Sequence, residues 1–478
     1  MLLHSYTANI LVISKGRFSN KNYTYAIPTH LEKDIAINQL VNIVFNKRTV
    51  KGIVSGIHEF KPLNSSSMSE IISIDSMVDV NLINYFTHLS NYYCNPTGHT
   101  IKLHFELILS QINIQKNINI TDPKYIYGKD CRNMLIENID PSQLNIIYVP
   151  SLRSIKLLAE FLNDNNLIIL FYQKTGGKQE SSLMSRIINK NKSGIIISLN
   201  TSIFNPHMNK KNLLLHYWDI NNYAYTESRM PKFNLIDVSN IQSIYTDHIQ
   251  FYYSEFPDYR YVRSNDVIEI SLPKLSVKYF HEHTIKDSLV TFLRTEPKLI
   301  TTEATYNFEF CSTELKNELL NAANINDDEI NIFKESNKIS NVNVIIEPTI
   351  SYINVLNSNR LARLIRYLNI LKVSNSQLYV LTRRDHKFID LLSMKNINNW
   401  LNDEFSYRNK YGPSHDTKLI QITSNNPIKI FSDKLSGPII DPVTKNYTYQ
   451  LTYTLEECLQ NNYYEDLKKF EYSFINYL

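Results

Sequence analysis

NIIYVP (145–150), LIILFY (167–172), GIIISL (194–199) and LLLHYW (213–218) are four short, uninterrupted apolar runs separated by stretches of helical pattern. A strand with one solvated face alternates apolar and polar residues. A strand covered on both faces reads as a continuous apolar run. Strands of the second kind, alternating with helices, predict a parallel α/β sheet over about 125–240. The rhythm returns at 289–301, at VNVIIEP (342–348) and at QLYVLTR (377–383), so a second α/β lobe is expected.

The flanks read differently. ILVIS (10–14), YTYAIP (23–28), LVNIVF (40–45) and VKGIVSGI (50–57) are short β-rich runs broken by turns, which predict a small β domain over 1–80. Residues 80–94 put Leu82, Tyr85, Phe86, Leu89 and Tyr93 on one helical face. The tail opens with a helical stretch near 396 and ends in strand signals at IQITSN (420–425) and YTYQLTYTL (447–455).

Bulk composition narrows the function classes. The chain has 478 residues, 43 % of them hydrophobic, enough for several folded domains. A net charge of +4 is a weak pointer to a polyanionic partner. Its four cysteines, Cys94, Cys131, Cys311 and Cys458, form no CxxC pair and suggest neither a zinc knuckle nor a disulfide framework. No apolar run approaches the ~20 residues that span a membrane, and no leader pattern opens the chain; a cytoplasmic protein is expected. Glycine is scarce, 10 in the whole chain. Backbone that closes around phosphate needs glycine, so few phosphate cradles are available.

Seven ordered segments carry a family resemblance. They are NYTYAIP with VNIVFNKRTVKGIVSGI (22–57), YFTHLSNYYCNPTGHTIKL (85–103), YVPSL (148–152), ISLNTSIFNP (197–206), LLLHYWDINNYAY with RMPKFNLIDV (213–238), YRNKYGPSH (407–415) and LSGPIIDPVTKNYTYQL (435–451). Together they resemble the primosomal protein N′ (PriA) family of replication-restart helicases. The resemblance implies a multidomain α/β protein: an OB-like 3′-end DNA-binding domain (1–80), a helical connector (81–118), two RecA-like lobes (119–265 and 266–395) and a small α+β C-terminal domain (396–478).

The same resemblance implies a degenerate member. The phosphate-loop window is Pro123 to Asp130, in which only Gly128 and Lys129 match; proline stands for the first glycine and aspartate for the magnesium-binding hydroxyl residue. The DEEH box becomes Trp218-Asp219-Ile220-Asn221, and tryptophan cannot ligate magnesium. Gly128, Lys129 and Asp219 are therefore expected as a nucleotide-site remnant. The GTRSA segment becomes Ser198–Ser202, and the GRxGR arginines are missing from Tyr367–Ser374. Of the zinc cysteines only Cys311 lies in the second lobe, and the gap from Leu103 to Pro123 is too short for a winged helix.

For DNA, the family's aromatic–acid–aromatic triple corresponds to Tyr23, Thr24 and Tyr25, its hairpin glycine to Asn46 and its lysine to Ile72. The two rings are expected to stack a terminal base unless they are ordinary strand aromatics, one of them buried. Lys47, Arg48 and Lys51 read as a basic hairpin or as a solvated turn. Arg360, Arg363 and Arg366 form a basic helical stripe or a plain solvent face; Arg383-Arg384 carries little information. His281 with His283, and Gly176-Gly177-Lys178, read as structural. The leading expectation is a fork- or single-strand-binding primosomal factor without ATP hydrolysis, with neither ATP, magnesium nor zinc, meeting single-strand-binding protein and primosome components. The alternatives are a divergent but active ATP-dependent 3′–5′ DNA helicase and a non-enzymatic interaction scaffold.

Overall fold

The computed structural model describes residues 5–14, 22–59, 68–105, 123–127, 131–174, 178–199, 213–220, 225, 233–254, separate strands and single positions between 276 and 406, and 417–424, 426–427, 435–440, 447–460 and 474–477. The chain divides into two compact units. One comprises Met1–Ile126, Arg132–Tyr253 and Thr417–Leu478; the other comprises Tyr127–Cys131 and Ser254–Asp416.

The first unit opens with β1 (Tyr6–Val12), β2 (Asn22–Ala26), β3 (Gln39–Phe45), β4 (Arg48–Glu59) and β5 (Ile71–Met77), in the order β2-β1-β4-β3-β5. Every neighbouring pair is antiparallel. An Ala26–Glu70 bridge and the bond from Ala26 N to Ser69 O (2.9 Å) join the two edges, so the sheet closes as a barrel. Alternation sends Ala8, Ile10 and Val12 inward from β1, against Val41, Ile43 and Val54. The β3–β4 hairpin turns on Asn46 and Lys47, with φ of 48° and 61°, between the paired residues Phe45 and Arg48. Two consecutive left-handed residues make the type I′ turn, whose twist matches that of the strands. At Gly52 a Cβ would lie 2.3 Å from Ile10 Cγ2, so β1 and β4 approach closely only because that side chain is absent.

Two helices follow. α1 (Val80–Tyr92) is capped by Asp79, whose carboxylate accepts from Leu82 N at 3.0 Å. It buries Leu82, Tyr85, Phe86 and Leu89, the face its spacing predicts. α2 (Thr97–Leu103) packs on it.

The α/β part runs β6 (Lys124–Tyr127), α3 (Cys131–Asn138), β7 (Leu144–Val149), α4 (Leu152–Asp164), β8 (Ile169–Tyr172), α5 (Lys178–Lys190), β9 (Gly194–Leu199), β10 (Leu213–Trp218), α6 (Leu235–Ser243) and β11 (Ile249–Ser254). Its sheet order is β6-β11-β10-β7-β9-β8, parallel from β11 to β8. All six residues of β7 are buried, as a strand covered on both faces requires. The four apolar runs are β7, β8, β9 and β10.

The second unit holds another parallel sheet: β12 (Ser276–Tyr279), β13 (Tyr306–Glu309), β14 (Ile330–Ile332), β15 (Val342–Ile346) and β16 (Gln377–Thr382), ordered β12-β16-β15-β13-β14. The runs at 342–348 and 377–383 supply β15 and β16; the stretch 289–301 lies outside the described residues.

The first unit is completed by β17 (Thr417–Ser424), β18 (Leu435–Ile440), β19 (Tyr447–Thr454), α7 (Leu455–Gln460) and β20 (Phe474–Tyr477), an antiparallel sheet ordered β18-β19-β17-β20. β19 alternates, with Tyr449, Leu451 and Tyr453 buried. α1 packs against α6 and α7. There the Tyr453 hydroxyl donates to Tyr92 O at 2.5 Å, and the Tyr93 hydroxyl accepts from Asn234 N at 2.7 Å and donates to Asp237 at 3.2 Å. Cys94 and Cys131 are buried thiols, and burial pushes the Cys94 thiol up to about 12. Among the described residues no helix is long and apolar enough to cross a membrane.

Candidate nucleic-acid interface

Strand periodicity places Tyr23 and Tyr25 on the same, inward face of β2, and their depth in the barrel separates them. Tyr25 is 4 % exposed and its hydroxyl donates to Val44 O at 2.9 Å. It is a core residue, and its ring offers no face to a base. Tyr23, one residue pair nearer the barrel end, is half-buried and meets Phe45 edge to face, with centroids 4.9 Å apart. Burial raises the pKa of both phenols, so both stay protonated at neutral pH.

Phe45 is the residue the sequence reading missed. It ends LVNIVF on the inward side of Val41 and Ile43, where period-two alternation makes it look like one more core side chain. Its place at the last strand position before a two-residue turn brings it to the barrel rim, cross-strand from Arg48. Asn46, Lys47 and Arg48 are exposed. The rim thus gathers an aromatic pair and two solvent-facing cations on one short hairpin and its neighbouring strand. Stacking rings beside backbone-tracking cations are the two components that single-stranded nucleic acid requires.

Three other expected residues stand apart from the rim. Thr24 is exposed on the outer face and donates to Asn9 Oδ1 at 3.1 Å. Lys51 also belongs to the outer face, where it pairs with Asp75 and holds that carboxyl below its usual range. The pair cancels most of the charge Lys51 would offer a phosphate. Ile72 is 48 % exposed and contributes no charge.

The nucleotide-site positions have different surroundings. Asp219 follows β10 in the left-handed region, with φ of 58°. Its neighbours are turned to structural use: Ile220 is buried and its N–H donates to Tyr253 O at 3.1 Å. The buried Tyr225 hydroxyl donates to Trp218 O at 2.5 Å, with Tyr148 O 2.9 Å away, so it ties the ends of β10 and β7. Burial, and then the Asp219 charge, push the Tyr225 pKa far up. Ser198 is buried and donates to Gln173 Oε1 at 2.9 Å. Of the window from Pro123 to Asp130, the second to fifth residues are extended in β6, and Asp130 lies outside the described residues. Gly128, Lys129, Asn221, Asn200–Ser202, Tyr367–Ser374, Cys311, Gly176-Gly177, His281, His283 and the arginines at 360, 363, 366, 383 and 384 lie outside the described residues. Among the described residues no three His, Cys, Asp or Glu side chains are grouped to hold a metal ion.

The chain thus combines a five-stranded β barrel with an aromatic and basic rim, two helices and a parallel α/β sheet. Residues 10–105, from β1 through the end of α2, match the family model of the PriA 3′ DNA-binding domain (3′BD). No curated protein matches the chain.

Proposed function

We propose that the chain is a primosomal factor that binds forked or single-stranded DNA during replication restart and repair in the cytoplasm, and that it does so without hydrolysing ATP. The observation that carries the reading is the match over 10–105 laid on a barrel whose rim unites Tyr23, Phe45, Lys47 and Arg48. The barrel is assigned as an OB-like fold, the two parallel sheets as RecA-like lobes, and the four-stranded sheet as the C-terminal domain. Single-strand-binding protein and primosome components are the expected partners.

The non-hydrolytic part is supported by residue chemistry. Phosphoryl transfer depends on a glycine loop, a lysine and a hard-oxygen magnesium site. Here proline opens the loop window, aspartate closes it, and Trp218 and Ile220 flank the single carboxylate of Asp219. These residues do not fit a magnesium–nucleotide group, and zinc is not part of the proposal.

A gel shift on fork DNA with free and blocked 3′ ends, at physiological salt, tests the reading. Binding tighter than the ~10⁻⁴–10⁻⁶ M of non-specific association is expected. Binding no tighter than that, unchanged by Tyr23→Ala, overturns it. DNA-dependent ATP hydrolysis that Lys129→Ala abolishes overturns the non-hydrolytic part and leaves DNA binding standing.

A further inference from the structure

The six-stranded sheet has two edges, and they differ in chemistry. The β6 edge opens with Lys124, whose Nζ lies 5.3 Å from the centre of the Phe251 ring. A charged residue on an edge strand is a common guard against pairing with another chain. The β8 edge has no such guard. Ile169, Leu170, Phe171 and Tyr172 are apolar or aromatic throughout, and none is fully buried. Tyr172 is 41 % exposed. Ile168, which leads into the strand, is 75 % exposed, the highest value for a large apolar residue among the described residues. Among the described residues no strand pairs with the outer side of β8. A bare apolar edge is a template for a further strand.

The flanking charges specify which strand. Right-handed crossovers from β7 to β8 and from β8 back to β9 put α4 and α5 on opposite faces of the sheet, each antiparallel to the strands it joins. The first turn of α4 therefore lies at the carboxyl end of β8, and its last turn at the amino end. Arg153 and Lys156 stand toward the carboxyl end, Glu160 and Asp164 toward the amino end, and all four are exposed. Among the described residues none of these four side chains has an ion-pair partner. Lys174 adds a cation at the carboxyl end, 5.5 Å from the centre of the Tyr172 ring. On the other face α5 has the reverse order, with Glu180 in its first turn and Lys190 in its last.

A two-fold axis normal to the sheet pairs two β8 strands antiparallel and lays each helix beside its own copy with the ends reversed. Positive end then meets negative end on both faces. On α4 the inner pair, Lys156 with Glu160, and the outer pair, Arg153 with Asp164, share a midpoint at or beside Leu158, so one level of the axis serves both. A parallel arrangement would set like ends together.

We propose that the β8 edge is a self-association surface, on which a second copy of this chain adds its own β8 antiparallel and continues the sheet across a two-fold axis. The surface is separate from the barrel rim and does not depend on the DNA-binding reading.

The test follows the mass of the full chain by sedimentation equilibrium over a concentration series, with amide hydrogen exchange read at Ile169–Tyr172. A concentration-dependent dimer is expected, with exchange at β8 slowing as it forms. Ile168→Lys, at an exposed position, sets like charges across the axis and is expected to raise the dimer dissociation constant by about tenfold or more. Lys156→Glu opposes Glu160 of the other copy twice over and is expected to raise it by roughly two- to tenfold. Adding Glu160→Lys to that variant restores unlike contacts and is expected to return association to the wild-type level. A surface for an unrelated partner would not be rescued by the exchange. A wild type that stays monomeric at its highest soluble concentration overturns the proposal, whatever else binds the edge. So does a dimer that Ile168→Lys leaves intact, a dimer that forms without slowing exchange at β8, or a double variant no better than Lys156→Glu alone.

Discussion

The rim of the barrel and the carboxyl end of β7 and β10 use their aromatic residues in opposite ways. At the rim, Tyr23 and Phe45 meet edge to face beside a hairpin whose cations face solvent. At the sheet end, the Tyr225 hydroxyl ties the carbonyls of Trp218 and Tyr148, and Ile220 is buried. The rim sets its rings beside exposed cations, and the sheet end spends its phenol on strand-to-strand bonds. The contrast predicts that substitutions at the sheet end cost stability and leave DNA affinity intact, whereas substitutions at the rim do the reverse.

Acid should produce the largest effect, and it should act on the α/β body and its helical connector. Burial lowers both His104 and His216 to about 3. The unfolded chain takes up these protons below the ordinary histidine value near 6.5, and the folded chain does not. Their stabilisation is therefore complete above about pH 6.5 and lost as pH falls from there toward 3. A loss of about 2 kcal/mol per histidine is expected at about pH 5. Denaturant melts at neutral pH and at pH 5, repeated on His216→Gln, measure it; a flat profile would remove the burial argument.

Next comes Tyr225→Phe. The ring stays and the hydroxyl goes, so two strand-end carbonyls lose their donor. A loss of about 1–3 kcal/mol in stability is expected, with fork-DNA affinity unchanged. Reduced DNA affinity without a stability change would place a ligand site at the sheet end and break the contrast.

Tyr23→Ala at the rim should weaken single-strand binding by about 1–3 kcal/mol, the worth of one base stacked on an aromatic ring. Tyr25→Phe, which removes only the bond to Val44 O, should leave affinity unchanged. An equal loss from both would mean that the deeper ring matters for binding through the shape of the barrel.

The smallest effect is the most diagnostic. Lys47 adopts a left-handed conformation that favours glycine. Lys47→Gly should stabilise the hairpin by up to about 1 kcal/mol. It should also weaken DNA binding and reduce the salt slope by about one. Opposite signs in stability and affinity would identify a residue retained for its charge.

Much of this architecture was legible because burial writes itself into sequence. β7, β9 and β10 are largely apolar since both of their faces are covered, whereas the edge strand β8 is only half-buried despite its apolar run; the helical face of α1 follows from its spacing. The rim was only half legible. YTYAIP fixes that Tyr23 and Tyr25 share a face, and period-two alternation cannot say how deep each sits. Lys51 read as part of a basic cluster because its partner, Asp75, lies 24 residues away on another strand. Phe45 was hidden by resembling the core residues that precede it. Cross-strand partners depend on register, and register is a property of the closed barrel rather than of any one run.

The bond between Tyr453 and Tyr92 spans 361 residues of sequence. A ribosome adding about 5–20 residues per second needs roughly 20–70 s to supply the second partner after the first has emerged. The partners of Tyr93 at Asn234 and Asp237 arrive earlier in that interval, and Tyr453 comes last. The surface around Tyr92, Tyr93 and Cys94 therefore waits on the last strands of the chain for its cover.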